Sequence, residues 1–241
     1  MKKSSMILLI LVALFLVSLI ISDLVLKNQY NQIDKSDPFW NYTKLNKGVF
    51  HHISISGSNI TRASFIPGPN GSLGVINYWE KELRGRIESS ISNDTLFIKF
   101  KDHTDPPNLR NFMKYRVLIA ISCPELISVN AFNSNLDLFK LKQKNLSISL
   151  AGRSAMEVES YSPDFDSLFV NQKDSSRLAF EMSEEIKSSG IMHAKWIDAS
   201  LRNRSLLDVG HFQIENMRQS VGDSAGIILS GSTLRTLKFI Q

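Results

Sequence analysis

The chain from residue 126 onward repeats one short pattern of serine and apolar residues. In each copy a serine is followed, two and four positions later, by apolar residues, at 134–138, 154–158, 176–180 and 205–209. A weaker copy without the serine in register lies at 223–229. The first apolar positions are 20, 22, 29 and 20 residues apart, at Leu136, Met156, Leu178, Leu207 and Ile227. Short strands that return at such intervals predict a coil of stacked strands with the apolar positions facing inward.

The region before residue 122 also alternates apolar and polar positions, in what we predict to be longer strands. The stretch 115–121 is apolar at both parities, so we expect it to be covered on both faces. The charged stretch 80–86 reads as a turn or a strand edge, and 101–113 as a loop around two prolines. The predicted strands are 50–55, 60–66, 73–78, 96–100 and 115–121.

The spacing after residue 126 leaves two ways to complete such a sheet. Parallel strands normally need a long, often helical, crossover, and the short intervals leave no room for helices. The alternatives are a coil of parallel rungs, that is, a β-solenoid, or an antiparallel β-sandwich. Near-constant offsets favour the coil, with small or polar residues at its corners: Asn130, Asn133, Gly152, Asn171 and Ser175. We interpret 181–187, within the 29-residue step, as an insertion at one corner.

An apolar run of 21 residues, 6–26, follows Lys2 and Lys3 and contains one charge, Asp23. About 20 apolar residues cross the hydrocarbon core of a bilayer. A cleaved signal would have a shorter apolar region and a small-residue cleavage site, which the sequence after the run lacks. We therefore predict an uncleaved signal anchor at 1–27, with a cleaved signal as the alternative. The leading lysines favour a cytoplasmic N-terminus, although lysines also flank the other end of the run.

Residues 28–47 read as a polar linker that contains an aromatic cluster at 39–42. The cluster could form an interfacial aromatic belt or a plug over the open end of the domain core. Trp40 lies 14 residues beyond Leu26, far enough to leave the interface, which favours the plug. The β-solenoid domain is predicted at 48–241, with longer strands at 48–122 and short rungs at 126–238.

The composition of the 241-residue chain, with 43% hydrophobic and 21% charged residues, predicts an ordered domain with a sizeable core. The net charge of +5 is spread along the chain rather than gathered in one basic patch, so we predict no nucleic-acid partner. The single cysteine, Cys123, excludes an intrachain disulfide. It follows an apolar run and reads as a small buried hydrophobe at a strand end.

The turns at 150–158 resemble, with those at 53–58, 188–190 and 229–232, the glycine-and-serine turns of one known family. That family is named "putative auto-transporter adhesin head GIN domain", and the resemblance covers about residues 48–238. Two copies of the turn, 171–174 and 201–204, lack the glycine.

The resemblance implies an all-β fold, a right-handed parallel β-helix, in a bacterial envelope protein, and no catalytic residues. With the N-terminal transmembrane helix, it places the chain as a single-pass protein of the bacterial inner (cytoplasmic) membrane. The N-terminus would be cytoplasmic and the domain would lie in the periplasm or outside the cell.

The residue types of catalytic and metal sites are present without the spacing that such sites need. His51 and His52 are adjacent on a predicted strand and should point to opposite faces, and no metal-ligand spacing occurs. Asp164 and Asp166 would share one face of a strand and could act as acid and base. Because Pro163 precedes them, we interpret them as a solvated corner. We predict no catalytic, cofactor-binding or metal residue.

Two charged rows are expected on outward positions. Asp137, Glu157 and Asp208 occupy the same register in three copies of the repeat, and stacked carboxylates would require a cation or basic neighbours. Lys140, Lys142 and Lys144 alternate with uncharged residues and would form a basic stripe on a strand. We interpret both rows as solvated outer faces.

These observations favour a membrane-anchored, non-enzymatic extracytoplasmic module for adhesion or for binding an envelope component. The expected partners are the lipid bilayer, through residues 6–26, and an envelope protein or glycan. One alternative is a polysaccharide-acting β-helix enzyme, which would need acidic residues gathered in one groove beside a basic residue. The other is an envelope sensor or accessory subunit, which the five residues before the anchor support poorly.

Overall fold

The fold is that of a computed structural model, which describes residues 3–34, 37, 39–57, 61–101, 116–141, 143–159, 164–181 and 192–240. The chain divides into two compact units, Met1–Asn41 and Tyr42–Gln241. The first unit contains one long helix. The second is mostly β-structure.

Helix α1 (Lys3–Gln32) forms because a long apolar run without proline or glycine satisfies its backbone hydrogen bonds within one segment. An 18-residue window within Met6–Gln32 has a mean hydropathy of 2.9, and α1 is the one helix among the described residues that is long and apolar enough to cross a membrane. Apolar side chains are exposed on all its sides, as at Leu8 and Leu26. The helix continues five residues past the predicted end at 27.

The second unit contains eighteen described strands and two short helices. The helices are α2 (Glu80–Arg84), which follows a 3-10 turn at Asn77–Trp79, and α3 (Gly231–Thr236). The strands up to residue 122 are β1 (Tyr42–Lys47), β2 (His52–Gly57), β3 (Arg62–Phe65), β4 (Ser72–Ile76), β5 (Ile87–Ser92), β6 (Thr95–Phe100) and β7 (Val117–Ser122). The later strands are β8 (Ser128–Phe132), β9 (Asn135–Phe139), β10 (Asn145–Ala151), β11 (Ala155–Glu159), β12 (Asp164–Gln172), β13 (Arg177–Glu181), β14 (His193–Leu201), β15 (Leu206–Asp208), β16 (Gln213–Val221), β17 (Gly226–Ile228) and β18 (Lys238–Ile240).

The strands form two nine-stranded mixed sheets. The order in the first sheet is β1-β4-β7-β3-β9-β11-β13-β15-β17, and in the second β18-β16-β14-β12-β10-β8-β2-β6-β5. From β8 to β17 the chain alternates between the sheets at every strand, and each strand pairs in parallel with the next strand of its own sheet. Antiparallel pairs occur at the N-terminal end, between β1 and β4, β4 and β7, and β5 and β6. An antiparallel sandwich therefore does not describe these sheets.

The serine and apolar repeat lies where the chain enters each later strand of the first sheet. Both apolar positions are buried in all four copies, as at Leu136 and Leu138, which are 0% exposed. The pairing Met156↔Leu136 and Met156↔Leu178 places the first apolar positions side by side. The prediction that these positions face inward is confirmed.

The serines of the repeat are buried at the corners between the sheets, each 1% exposed: Ser134, Ser154, Ser176 and Ser205. Ser154 Oγ donates a hydrogen bond to the Ala151 carbonyl at 2.7 Å, and Ser176 Oγ donates to the Lys173 carbonyl at 2.9 Å. These bonds satisfy carbonyl groups that the turning backbone would otherwise leave unpaired.

The same corners contain residues with positive φ at Asn133, Gly152, Asp174 and Asn203. At Gly152 a Cβ would lie 2.2 Å from Asn133 Oδ1, so this corner requires glycine for space as well as for conformation. The predicted corners at Asn133 and Gly152 are confirmed. Where glycine is absent, Asp174 and Asn203 adopt the left-handed conformation, which short polar side chains tolerate.

Several local predictions need correction. The stretch 80–86, predicted as a turn or strand edge, contains helix α2, whose buried Leu83 packs into the core. The three strands of nine residues, β12, β14 and β16, all lie after residue 126, where short strands were expected. The predicted strand at 115–121 is β7, with five of six residues buried. Most of the predicted loop at 101–113, and nearly all of the insertion at 181–187, lie outside the described residues.

Candidate functional site

An uncharged row of serine and asparagine side chains crosses the outer face of the second sheet. The members on β2, β8, β10, β12 and β14 alternate with buried residues, so their side chains point away from the core, as Ser54 does between Ile53 and Ile55. The member on β16 is exposed and is placed in the row by its pairing with Ser200. We call them the serine–asparagine row: Ser54, Asn130, Ser149, Asn171, Ser200 and Ser220, on β2, β8, β10, β12, β14 and β16.

The strand register makes this row continuous. Asn130 is the Cα partner of both Ser54 and Ser149. Asn171 is the partner of both Ser149 and Ser200, and Ser200 is also paired with Ser220. The row therefore places one small polar side chain on each of six consecutive strands, at the spacing of about 4.8 Å between neighbouring strands.

None of the six side chains forms a hydrogen bond within the described part of the chain. The flanking strands already pair most of the backbone of the row, so its hydroxyl and amide groups are free donors and acceptors on this face. Asn130 and Asn171 are exposed, and the corners predicted at these two positions are strand residues instead. Asparagine and serine are common both at corners and at outward strand positions, so residue type alone does not separate the two. The signal in the sequence that could have identified the strand positions is the apolar residue on each side of Asn130.

Three exposed phenylalanines accompany the row. Phe97 continues it on β6 as the partner of Ser54. Phe132 and Phe169 lie two residues from Asn130 and Asn171 on the same outward face. Their exposed fractions are 44% for Phe97, 51% for Phe132 and 46% for Phe169. Large aromatic side chains left this open on a face of free polar groups form a surface suited to binding.

Two connected grooves follow this face. One groove of about 310 Å³ is lined by Ser54, Asn130, Phe132, Ser149 and Asn171, among others. A second groove of about 360 Å³ is lined by residues of β2, β5 and β6, including Phe97. Both grooves include Ser54 and Ser56, so together they extend from β5 to β12.

A charged cluster lies on the same sheet at the beginning of β12, β14 and β16. Lys144 Nζ lies 2.6 Å from Asp164 Oδ2, and Lys195 Nζ lies 2.6 Å from Asp166 Oδ1. His193 lies between Asp164, 3.1 Å from Nδ1, and Glu215, 3.2 Å from Nε2. The two aspartates predicted as a solvated corner are strand residues with basic partners.

The pKa of Asp164 lies below its usual range because the hydrogen bonds from Lys144 and His193 stabilise its charged form. A glycosidase needs one carboxylic acid whose pKa is raised, so that it can donate a proton at neutral pH. Asp164 has the opposite shift, and its geometry is that of an ion pair.

The acidic row of the first sheet gathers around Arg62. Arg62 Nη2 lies 2.5 Å from Asp137 Oδ1 and 2.6 Å from Glu157 Oε2. Burial raises the pKa of Asp137, and the hydrogen bond and charge of Arg62 act in the other direction. The basic neighbour expected for stacked carboxylates is therefore present.

Across the strands, Ala179 lies between Glu157 and Asp208. The predicted row of three carboxylates is therefore an adjacent pair, Asp137 and Glu157, with Asp208 one strand further away. This site also gathers acidic residues beside a basic one, as the enzyme alternative requires. The guanidinium, however, is bonded to both carboxylates, and the Asp137 side chain is only 6% exposed. The three groups therefore form a partly buried ion-pair network that joins strands.

The histidines also differ from expectation at one position. His51 and His52 were predicted to point to opposite faces, yet both approach Asp94, with His51 Nδ1 2.9 Å and His52 Nε2 3.9 Å from Oδ2. The reason is that His51 precedes β2, so strand alternation does not yet apply. No group of three potential metal ligands occurs among the described residues. His103 lies outside them.

The lysine stripe does not form on a strand. Lys140 and Lys144 lie between β9 and β10, where Lys140 has a positive φ of 55°, and Lys142 is outside the described residues. Cys123 is buried directly after β7, as predicted, and its thiol donates to the Glu125 carbonyl at 3.1 Å. Burial raises the pKa of the Cys123 thiol to about 12.

Comparisons with known proteins give no family. No family model matches the chain, and a search of curated proteins finds no match. Among solved structures, the chain is similar to a "putative adhesin" from Parabacteroides distasonis ATCC 8503, at 14% identity over 83% of this chain and 96% of that chain, with a TM-score of 0.38.

Two further solved structures are a "putative adhesin" from Bacteroides fragilis NCTC 9343 and a "putative lipid binding protein" from Parabacteroides distasonis ATCC 8503. The first is 12% identical over 83% of this chain and 93% of that chain, with a TM-score of 0.37. The second is 14% identical over 83% of this chain and 96% of that chain, with a TM-score of 0.29. Because these TM-scores are low, we describe the fold from the strand pairing of this chain alone.

Proposed function

We propose that this chain is a non-enzymatic module of the bacterial envelope that is anchored in the inner membrane and binds another envelope component. The anchor is residues 6–26, the N-terminus is cytoplasmic, and the β-domain faces the periplasm or the exterior. The binding surface is the outer face of the second sheet around the serine–asparagine row. The observation that carries the proposal is this row of unbonded polar side chains beside exposed phenylalanines.

The anchor is supported by α1, whose apolar side chains surround the whole helix. A helix that is apolar on all sides is stable in lipid or in a protein core, and the apolar window of α1 is 0% buried. Two lysines before the run and its length support an uncleaved segment with a cytoplasmic start.

We also propose that the domain coils as a right-handed parallel β-helix. The support is the alternation of the chain between two sheets and the direct stacking of equivalent residues, as in the pairing of Glu157 with Asp137. A right-handed course is the strongly preferred hand of parallel crossovers. In such a coil, equivalent outward positions form straight rows, which is the geometry of the serine–asparagine row.

A non-enzymatic role is favoured by the state of the acidic residues. The Asp164 and Asp166 carboxylates are paired with lysines, and those of Asp137 and Glu157 are bonded to Arg62. The row, by contrast, contains only hydroxyl and amide groups, which can hold a ligand but offer no acid or base near neutral pH.

The orientation is tested by adding a protease to spheroplasts that produce the full chain. We expect the domain to be degraded without lysis. A domain that stays intact until the cells are lysed would show that the orientation is wrong.

Binding is tested with the full chain in phosphatidylcholine nanodiscs, immobilised and incubated with fragments of the native envelope. We expect retention that is lost in the row variant Asn130→Ala/Phe132→Ala. The matched control is Asn135→Ala/Phe139→Ala, which makes the same two changes on β9, the strand of the first sheet that follows β8. Equal retention by both variants, or none by the parent chain, would refute this binding surface.

A further inference from the structure

We infer that the ligand of the serine–asparagine row is an uncharged, extended glycan whose chain crosses the strands of the second sheet. The inference rests on the proposed function and names the chemistry of its ligand. It follows from the groups that are free on this face, from the groups that are absent from it, and from the length of the row.

The free groups match those of a sugar chain. Serine hydroxyls and asparagine amides both donate and accept hydrogen bonds, as sugar hydroxyls do, so each strand offers one such group to the ligand. Phe132 and Phe169, about half exposed, lie on opposite sides of the row and add apolar aromatic surface to it. The C–H faces of pyranose rings stack on aromatic rings of this kind, while their hydroxyls remain free to bond.

Charge complementarity selects an uncharged chain. No member of the row is ionisable. The charged side chains nearest to its β14 and β16 members, Asp198 and Arg218, lie two residues from Ser200 and Ser220 and form an ion pair with each other. Lys173 lines the first groove, and Lys99 and Glu88, which are opposite charges on paired strand positions, line the second. A polyanion would need a line of cations along its path, and a polycation a line of carboxylates; the row offers neither.

A protein partner fits this surface less well. Serine is depleted in the cores of protein–protein interfaces, whereas tyrosine, tryptophan and arginine are enriched. Addition of a peptide strand needs an open sheet edge, yet every member of the row lies on a strand that pairs with a neighbour on each side. The pairing of β16 with β18 ends at Arg218, so only the backbone at Ser220 is unpaired on that side. The remaining mode of binding is contact between the ligand and the outward side chains of successive strands. This mode suits a ligand rich in hydroxyl groups.

The length of the row sets the size of the ligand. Six strands at about 4.8 Å per step span about 24 Å, which is several sugar rings. The groove of about 310 Å³ between Ser54 and Asn171 is at the lower end of the size range of ligand sites. A single monosaccharide would use only part of this surface, so we expect oligosaccharides to bind more tightly than monosaccharides.

The test is isothermal titration calorimetry of the full chain in phosphatidylcholine nanodiscs, which contain no sugar. The probes are cellohexaose and hexa-N-acetylchitohexaose, as neutral linear glycans, and hexagalacturonate, as an anionic one. We expect at least one neutral hexasaccharide to bind, and Asn130→Ala/Phe132→Ala to weaken it about tenfold or more, since it removes one amide and one ring. Asn135→Ala/Phe139→Ala should bind like the parent chain.

Two milder variants guard against a folding defect. Ser54→Ala/Ser149→Ala removes two hydroxyls on either side of Asn130 and should also weaken binding, whereas Phe132→Tyr keeps the ring and should preserve it. Binding of hexagalacturonate alone, or of neutral probes equally by the row and control variants, would overturn the inference.

The envelope-retention experiment separates the inference from the proposed function. If retention depends on the row and is abolished by periodate treatment of the fragments, the glycan inference is supported. If it depends on the row but is abolished by protease and insensitive to periodate, the ligand is a protein. In that case the inference fails while the proposed binding function stands.

Discussion

The guanidinium of Arg62 and the carboxylate of Asp137 form an ion pair across neighbouring strands of the first sheet, with Nη2 2.5 Å from Oδ1. The Asp137 side chain is 6% exposed and that of Arg62 is 28% exposed. The pair joins β3 to β9, whose residues are about seventy positions apart in the chain. It therefore fixes a contact between the mixed N-terminal part of the sheet and the parallel part that follows.

Arg62→Met should destabilise the domain by about 1–3 kcal/mol, because Asp137 would stay buried without its cation. The free energy of unfolding is measured by urea titration of the full chain in nanodiscs, followed by tryptophan fluorescence. Arg177→Met is the matched control, since Arg177 is exposed on the same sheet and has no ion pair with the described residues. Equal losses in the two variants would contradict the role of the pair.

Asp137 should also make stability depend on pH. Its folded pKa is raised by burial, so between the ordinary aspartate value of about 3.9 and this raised value the folded state binds more protons than the unfolded state. Stability from this group is therefore greatest at low pH and falls as pH rises through that window. Asp137→Asn should reduce this fall in a pH series of urea titrations, and an equal fall in the variant and the parent chain would contradict the role of Asp137.

Two of the corner serines, Ser154 and Ser205, should differ in how much they contribute to the free energy of unfolding. Ser154 Oγ donates to the Ala151 carbonyl at 2.7 Å and accepts from the Ser134 amide at 3.3 Å, so Ser154→Ala should cost about 1–2 kcal/mol. Ser205 Oγ is buried and has no partner among the described residues. Ser205→Ala should be neutral or slightly stabilising, because it removes an unsatisfied hydroxyl. Thermal unfolding of both variants checks this order, and a larger loss at Ser205 would refute it.

Leu178→Asp should destabilise severely, by more than about 4 kcal/mol, because it buries an unpaired carboxylate at a position that is 0% exposed. Limited proteolysis of the full chain in nanodiscs should show rapid loss of the domain. Arg202→Asp, at an exposed turn, provides the control and should change stability by no more than about 0.5 kcal/mol. A stable Leu178→Asp domain would mean that the inward register is wrong.

Cys123 should be inert towards thiol reagents in the folded protein. Burial raises the pKa of its thiol to about 12, so hardly any thiolate is present at pH 8. Labelling with dithionitrobenzoate is expected only after urea unfolding, at one thiol per chain. Rapid labelling under native conditions would show that this end of β7 opens.

The inward half of the fold could be predicted because it is periodic in sequence. Leu136, Met156 and Leu178 follow one another at intervals of 20 and 22 residues, and their burial requires each strand to lie beside its equivalent. The N-terminal part lacks such a period. Its antiparallel pairs, such as β1 with β4, depend on contacts between segments whose patterns do not identify their partners.

The candidate site could not be predicted from local pattern. Asn130 and Asn133 are three residues apart and are both asparagine, yet one points outward from a strand and the other turns a corner with positive φ. Only the pairing of Asn130 with Ser54 and Ser149 shows that they belong to one row. Arg62 was missed for a similar reason, since its partners lie 75 and 95 residues away.

Each strand of the second sheet from β8 to β16 supplies one side chain to the serine–asparagine row. Duplication of one stretch of about twenty residues would therefore add one strand to each sheet and one recognition position without disturbing the others. A homologue with more repeats would read a longer polymer, and one with fewer repeats a shorter one. In such a lineage, the preferred chain length of the ligand would evolve by gene-segment duplication, while its chemical selectivity would evolve by point substitution on the outward positions.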